Sequence, residues 1–154
     1  MQTIIFDTDV LINWLTQETE SITRRKLWEA PLQIIERVEA KEIRGCVSLL
    51  SLLEIRFLLN RKFKHHIQDI NKDISLISGL FDVLIPDETE LLRANKLQEK
   101  YLLDPFDAVF LATVLSMPSA VLVSRDKKFL AIASRFTDAM VPEKVSTLKP
   151  RRPL

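Results

Sequence analysis

Short apolar runs alternating with longer helical patterns constrain this chain more than any other feature. Thr3–Phe6, Gly45–Val47, Phe81–Ile85 and Ala120–Ser124 are each too short for a helix and rich in residues that favour strands, and a fifth, weaker run lies near Ala139–Val141. Between them, apolar residues recur at helical spacing. Thr8 begins a helix carrying Val10, Leu11, Ile12, Trp14 and Leu15. A second is expected from about Ser21 to Lys41, kinked or broken at Pro31. Further helices are expected over Leu49–Leu59, over Lys64–Ser78 with Gly79 as its stop, after a cap at Asp87 or Thr89, after Asp104-Pro105, and over Lys127–Ser134. Such alternation predicts an α/β fold, a three-layer α/β/α arrangement around a central, mainly parallel sheet of four to five strands. Right-handed crossovers place helices on both faces, and ligands then gather at the carboxyl ends of the strands.

A chain of 154 residues, 47% hydrophobic, is the size of one domain with a single core, expected over residues 1–148. Residues 149–154 form a basic, proline-rich tail expected to be disordered. Cys46 is the only cysteine, which excludes an intrachain disulfide, and it reads as a small apolar strand residue. The amino terminus lacks the pattern of a signal peptide, and no apolar run reaches the roughly 20 residues of a membrane helix. A cytoplasmic protein without membrane association is expected. Gly45 and Gly79 are the only glycines, so no glycine-rich phosphate loop can form.

Within this frame four acids stand where acids are costly. Asp7 directly follows Thr3–Phe6, Glu54 sits in the oily segment Leu49–Ile55, Asp107 lies in Asp104-Pro105-Phe106-Asp107-Ala108, and Asp126 follows Val121-Leu122-Val123-Ser124-Arg125. A carboxylate among apolar neighbours is unfavourable unless something pairs with it. Asp7 and Asp126 should project from the same sheet edge. Ser48, Ser51 and Glu54 recur at three-residue spacing and mark a polar stripe on an apolar helix. The competing readings are ordinary ones: Glu54 paired with Arg56 or Arg61 at the surface, and Asp107 closing a capping box with Asp104. If the acids converge, two carboxylates about 4 Å apart repel by roughly 4 kcal/mol at an effective dielectric near 20. Hard divalent cations such as Mg2+ or Mn2+ would relieve that repulsion. The net charge of +1 then leaves a net positive remainder, including Arg24-Arg25-Lys26, Arg61-Lys62, Lys64, and Lys127-Lys128, suited to a polyanion.

At these residues the chain resembles a known family. Ile4-Ile5-Phe6-Asp7-Thr8-Asp9-Val10-Leu11-Ile12, the segment Ser48–Glu54, Asp104-Pro105-Phe106-Asp107-Ala108-Val109-Phe110-Leu111-Ala112-Thr113, and Val123-Ser124-Arg125-Asp126-Lys127-Lys128-Phe129 look like a PIN domain, and within that family like the VapC-type toxin ribonucleases. The resemblance implies a Mg2+- or Mn2+-dependent endoribonuclease in which Asp7, Glu54, Asp107 and Asp126 hold the metal, supported by Thr8 and Ser124. It also implies a homodimer acting on RNA and, for a toxin, a small VapB-type antitoxin covering the acidic cleft. Asp9 stands where the family often has Asn, and the stretch from Glu18 to Arg44 is long for a minimal toxin.

Two rivals follow from the same residues. Asp7-Thr8-Asp9 after an apolar strand is similar to the acid pair of haloacid dehalogenase-type phosphatases, although the later lysine and paired acids of that family have no counterpart here. A catalytically silent PIN-fold domain binding RNA or protein would keep the fold and lose one or more of the acids. The adjacent His65 and His66 make a poor metal pair if helical, because they point in different directions. Trp14, Trp28 and Tyr101 read as packing residues.

Overall fold

The computed structural model describes residues 1–148, so the expected disorder of 149–154 lies outside the described residues. Five parallel strands, β1 (Thr3–Phe6), β2 (Arg44–Ser48), β3 (Asp82–Leu84), β4 (Val121–Val123) and β5 (Asp138–Met140), form one sheet in the order β3-β2-β1-β4-β5. Phe6 is aligned with Val47 on one side and Val123 on the other, Ser48 with Leu84, and Val123 with Met140. The carboxyl ends of all five strands therefore share one edge, and the strand order reverses around β1.

Side chains alternate across the sheet, and the core divides accordingly. Ile4, Phe6, Val47, Val121 and Val123 face one apolar layer, made by α1 (Thr8–Thr16), α2 (Glu29–Glu39), α3 (Leu49–Arg61), α4 (Ile67–Leu80) and α8 (Pro142–Ser146). Ile5, Cys46 and Leu122 face the other, made by α5 (Glu88–Lys100), α6 (Pro105–Leu115) and α7 (Lys127–Ala133). The expected three-layer α/β/α arrangement is present, and Cys46 is buried in its strand. Gly45 is required by contact: a Cβ there would lie 2.5 Å from the Phe81 ring and 2.9 Å from Val38. That ring packs edge-on to Phe6 at 5.0 Å, which ties β1 to the entry of β3.

The long helix expected from Ser21 to Lys41 is shorter. It begins at Glu29, so Pro31 lies in the first turn, where its missing N–H costs nothing, and neither kinks nor breaks the helix. Residues 17–28 instead make an excursion pinned by an antiparallel bridge between Thr19 and Lys26. Its residues Glu20–Lys26 are exposed and polar but for Ile22, so they offer no apolar face to hold a helix to the core. The helix expected over Lys64–Ser78 starts and ends later, at Ile67 and Leu80, and Gly79 falls inside its last turn with open space where a Cβ would be. His65 precedes that helix and His66 is its N-cap residue, so neither lies within it. Tyr101 packs edge-on against Phe136 at 5.6 Å.

Candidate active site

The carboxyl edge of the sheet opens into a cleft of about 390 Å³ whose lining includes Asp7, Thr8, Asp9, Asn13, Glu18, Glu54, Lys62, Asp104, Asp107 and Asp126. Four elements deliver the four expected acids to it. Asp7 is the first residue beyond β1, and its N–H still donates to Val123 O at 2.9 Å, which extends the ladder one residue past the strand. Its side chain is fixed at both oxygens: the Ser124 hydroxyl donates to Oδ2 at 2.7 Å and the Thr8 N–H donates to Oδ1 at 2.8 Å. Ser124 Oγ also accepts from the Asp126 N–H at 3.1 Å. One buried hydroxyl therefore couples the acid after β1 to the acid after β4. Asp126 caps α7 by accepting from Phe129 N–H at 3.1 Å.

Glu54 reaches the cleft from the middle of α3. It makes none of the ion pairs that a surface role would require, because Arg56 donates to Asn71 at 2.6 Å and Arg61 lies 5.7 Å from the Phe57 ring centre. Ser48, expected in a helical stripe with Ser51 and Glu54, caps α3 instead, accepting from Leu50 N–H at 3.2 Å, while Ser51 is buried. Asp107 enters from the first turn of α6. Asp104 accepts its N–H at 2.9 Å, but the Asp107 carboxyl group does not return a bond to the Asp104 N–H, so the reciprocal box is not formed; it faces the cleft beside the Asp104 carboxyl group.

Burial and repulsion from neighbouring acids push Asp7, Glu54 and Asp107 far from their usual titration range. Burial raises the Asp7 pKa to about 7; Asp9 and, more weakly, Asp126 add to the rise, while the bonds from Ser124 and Thr8 oppose it. Glu54 rises to about 7, first through burial and then through Asp7 and Asp104. Asp107 rises to about 8, through burial, then Asp104 and Asp7. Asp9 is also raised by burial, although it accepts from Arg125 N–H at 3.0 Å and feels the Arg125 charge. These acids titrate as a linked set.

Sequence reasoning undervalued Asp9, Asn13, Glu18 and Asp104. Asp104 was legible as a helix cap and is one, yet the same carboxylate presses on Glu54 and Asp107. The signal was present in the spacing, since acids three residues apart at a helix start share one turn. Asn13 and Glu18, bonded to each other at 2.8 Å, carry no such signal, because the turn that brings them together depends on the fold of residues 17–28. A concavity of about 270 Å³ at the opposite edge, lined by residues including Met1, Gln2, Glu42, Ser119 and Asp138, gathers no comparable cluster.

The PIN domain family model matches residues 4–134, most of the chain and all of the cleft acids. The chain belongs to the PIN domain family. This PIN domain is therefore placed among nucleases, and the phosphatase reading of Asp7-Thr8-Asp9 gives way to it. Its fold is shared with solved structures of low identity. A toxin-antitoxin complex from Klebsiella pneumoniae is 20% identical over 90% of this chain and 97% of that one, with a TM-score of 0.60. VapBC2 from Rickettsia felis, bound to a DNA fragment from the promoter, is 12% identical over 90% and 98%, at 0.66. VapBC-1 from nontypeable Haemophilus influenzae is 19% identical over 92% and 99%, at 0.63. Among curated proteins none matches significantly. No helix among the described residues is long and apolar enough to cross a membrane.

Proposed function

We propose that this PIN domain is a metal-dependent endoribonuclease in which Asp7, Glu54, Asp107 and Asp126 hold Mg2+ or Mn2+. The observation that carries the reading is the gathering of these carboxyl groups in one cleft, with Asp7, Glu54 and Asp107 driven to pKa values of about 7, 7 and 8. A fold does not keep such a cluster for stability. The donor chemistry fits a hard cation, because the cleft offers carboxylate oxygens together with the buried Thr8 Oγ1 and Asp9 Oδ1, which have no hydrogen-bond partner among the described residues. Thr8 Oγ1 lies near enough to Glu54 to lower its pKa without forming a bond of ordinary geometry. Among the described residues no three His, Cys, Asp or Glu side chains already stand at metal-ligand spacing, so ion binding requires the acids to draw together.

A bound ion supplies Lewis-acid polarisation of a phosphodiester and a lowered pKa for an attacking water. The chain's own residues do the rest. Ser124 and the Thr8 N–H fix the Asp7 carboxylate, so its remaining lone pairs keep a constant direction. Thr8 and Ser124 thus act as supports. Lys62, the one cation among the described residues lining the cleft, is placed to meet a backbone phosphate, as a polyanion approaching an acidic site requires. Labelled single-stranded RNA incubated with Mg2+, Mn2+ or EDTA tests the reading, with Asp107→Asn alongside. Cleavage that needs the ion and vanishes in the variant supports it. Absence of cleavage on several structured and unstructured RNAs overturns it in favour of a silent RNA- or protein-binding PIN domain.

The same reading makes the protein a cytoplasmic toxin that forms a homodimer and is held by a small VapB-type antitoxin. Shared fold with toxin-antitoxin complexes supports it. So does an apolar groove of about 330 Å³ lined by Leu53, Phe57, Leu58 and Phe106, which shares Glu54 with the cleft. An antitoxin laying apolar side chains there would also cover the acids. If a small reading frame adjoins the gene, its co-expression should abolish RNA cleavage and yield a complex that co-purifies.

A further inference from the structure

Arg125 stands between two residues of the site yet its side chain leaves the cleft. Its N–H donates to Asp9 Oδ2 at 3.0 Å, while the guanidinium group turns to Asn13 on the cleft wall and to partners beyond it, using all three nitrogens. Nε donates to Asn13 Oδ1 at 2.5 Å, Nη2 to Leu27 O at 2.7 Å, and Nη1 to Glu143 at 2.9 and 3.2 Å. Glu143 pairs in turn with Arg25 at 2.5 Å. Only 15% of the Arg125 side chain is exposed, so these are partners of a largely desolvated charge. Burial works against the Glu143 charge, but bonds from its own backbone, Arg125 and Arg25 outweigh it and hold its pKa below the ordinary carboxylate value.

The parts joined in this way are distant in sequence. Arg25 and Leu27 belong to the excursion of residues 17–28, and Glu143 lies on α8, beyond the residues that the family model matches. Asn13 closes the circuit by donating to Glu18, whose carbonyl accepts Leu27 N–H at 2.9 Å. Two segments far apart in sequence thus converge on one guanidinium, one residue away from both Ser124 and Asp126. If the Glu143 carboxylate were absent, Arg125 would lose its bonded carboxylate, and Asp9, which already feels its charge from the cleft, would be left to attract it. There a guanidinium would compete directly with a cation.

We propose that Glu143 is a positioning residue, which with Arg25 holds the Arg125 guanidinium outside the acid cleft and fixes the Ser124–Asp126 turn for metal binding. This rests on the metal-dependent reading of the cleft. The test is isothermal titration of the full chain with Mn2+ alone, for wild type, Glu143→Gln, Glu143→Asp and Arg25→Gln, each with its unfolding midpoint recorded. Glu143→Gln should weaken Mn2+ binding by about tenfold, the lower end of what removal of a residue orienting metal ligands costs. Glu143→Asp should recover at least half of that loss on a logarithmic scale. Arg25→Gln, at a half-exposed site, should weaken binding about twofold to threefold with its unfolding midpoint near that of wild type. In RNA cleavage the loss for Glu143→Gln should be recovered at saturating Mn2+, leaving kcat near the wild-type value. Mn2+ affinity of both Gln variants within error of wild type overturns the proposal while leaving the nuclease reading intact. A wild type that binds no Mn2+ overturns both.

Discussion

The starts of α5 and α6 carry the same pattern, an acid at the N-cap and another three residues on, and they use it for opposite ends. At α5, Asp87 accepts Glu90 N–H at 2.8 Å and Glu90 returns a bond to the Asp87 N–H, closing a full capping box. At α6, Asp104 accepts Asp107 N–H at 2.9 Å, and nothing returns. The second acid is one methylene shorter, and it is half-buried at the cleft instead of spent on its own helix. Glu90 satisfies the backbone and additionally accepts the Thr113 hydroxyl at 3.2 Å. Asp107 satisfies no backbone N–H, stands against the Asp104 carboxyl group, and is pushed to a pKa of about 8. An acid that caps nothing, in a place where it costs stability, is what the proposed metal-binding role of Asp107 calls for.

The largest expected effect separates the two acids by activity. Asp107→Asn should lower metal-dependent RNA cleavage by about a hundredfold or more, the scale on which removal of one electrostatic contributor to such a site acts. Glu90→Gln should leave it within twofold, because Gln also closes a capping box. Initial rates on one labelled RNA at fixed Mn2+ decide the matter. Equal losses in the two variants would mean that the difference between the caps is only structural.

The next effect is on stability and runs against the usual behaviour of acids. Asp7 and Asp107 titrate near 3.8 when unfolded and near 7 and 8 when folded. Between these values the folded chain holds protons that the unfolded chain has released. Metal-free stability should therefore fall as pH rises from about 4 towards 8, and level off above that. Glu54 and Asp107 are only about half buried, so solvent screens their share and Asp7 contributes most. A loss on the order of 2 kcal/mol corresponds to about 4–8 °C for a domain of this size. Comparing wild type with Asp7→Asn isolates it: the variant should unfold higher at pH 8, the gap should close towards pH 4, and saturating Mn2+ should raise the wild type alone.

Removing the caps gives a smaller contrast. Asp87→Ala should cost about 1 kcal/mol at any pH above 5, the ordinary value of a lost N-cap. Asp104→Ala loses an equivalent bond but relieves repulsion on Glu54 and Asp107, so its cost in metal-free protein should be visibly smaller and should grow when Mn2+ is added. Thermal unfolding of both variants with and without the ion measures this, and identical costs under both conditions would show that Asp104 is a cap and nothing more.

How much of this was readable from residues alone follows from the range over which each interaction acts. β1 and β4 were legible because Ile4–Phe6 and Val121–Val123 are buried on both faces, and such strands are continuous apolar runs. Asp7 and Asp126 were then placed by topology, since parallel strands put their following residues on one edge. The excursion of residues 17–28 was not legible. It is held by Arg125 to Leu27, a bond spanning 98 residues, and no local window contains that information. Glu143 was silent for the same reason, because its partners Arg125 and Arg25 come from two distant segments. Asp107 lay between these cases: its spacing from Asp104 suggested a box, and only the length of an aspartate side chain in its actual setting decided otherwise.

That length supplies the smallest and most specific prediction. Asp107→Glu adds the methylene that Glu90 has and Asp107 lacks, so the carboxylate gains the reach to bond the Asp104 N–H and complete a box like that of α5. The metal-free protein should gain about 0.5 kcal/mol, within the range for an improved helix terminus, and the gain should be larger at pH 8 than at pH 5, because the charge leaves the repulsive cleft. Charge and hydrogen-bonding type are conserved, so a simple electrostatic role for Asp107 predicts retained activity. A role that depends on where the oxygens stand predicts loss of Mn2+-dependent cleavage despite the added stability. Increased stability together with lost cleavage would show that the two helix starts differ by one methylene in sequence and by an active site in consequence; retained cleavage would show that the cleft accepts the acid from either reach, and that the open box at α6 is incidental to its chemistry.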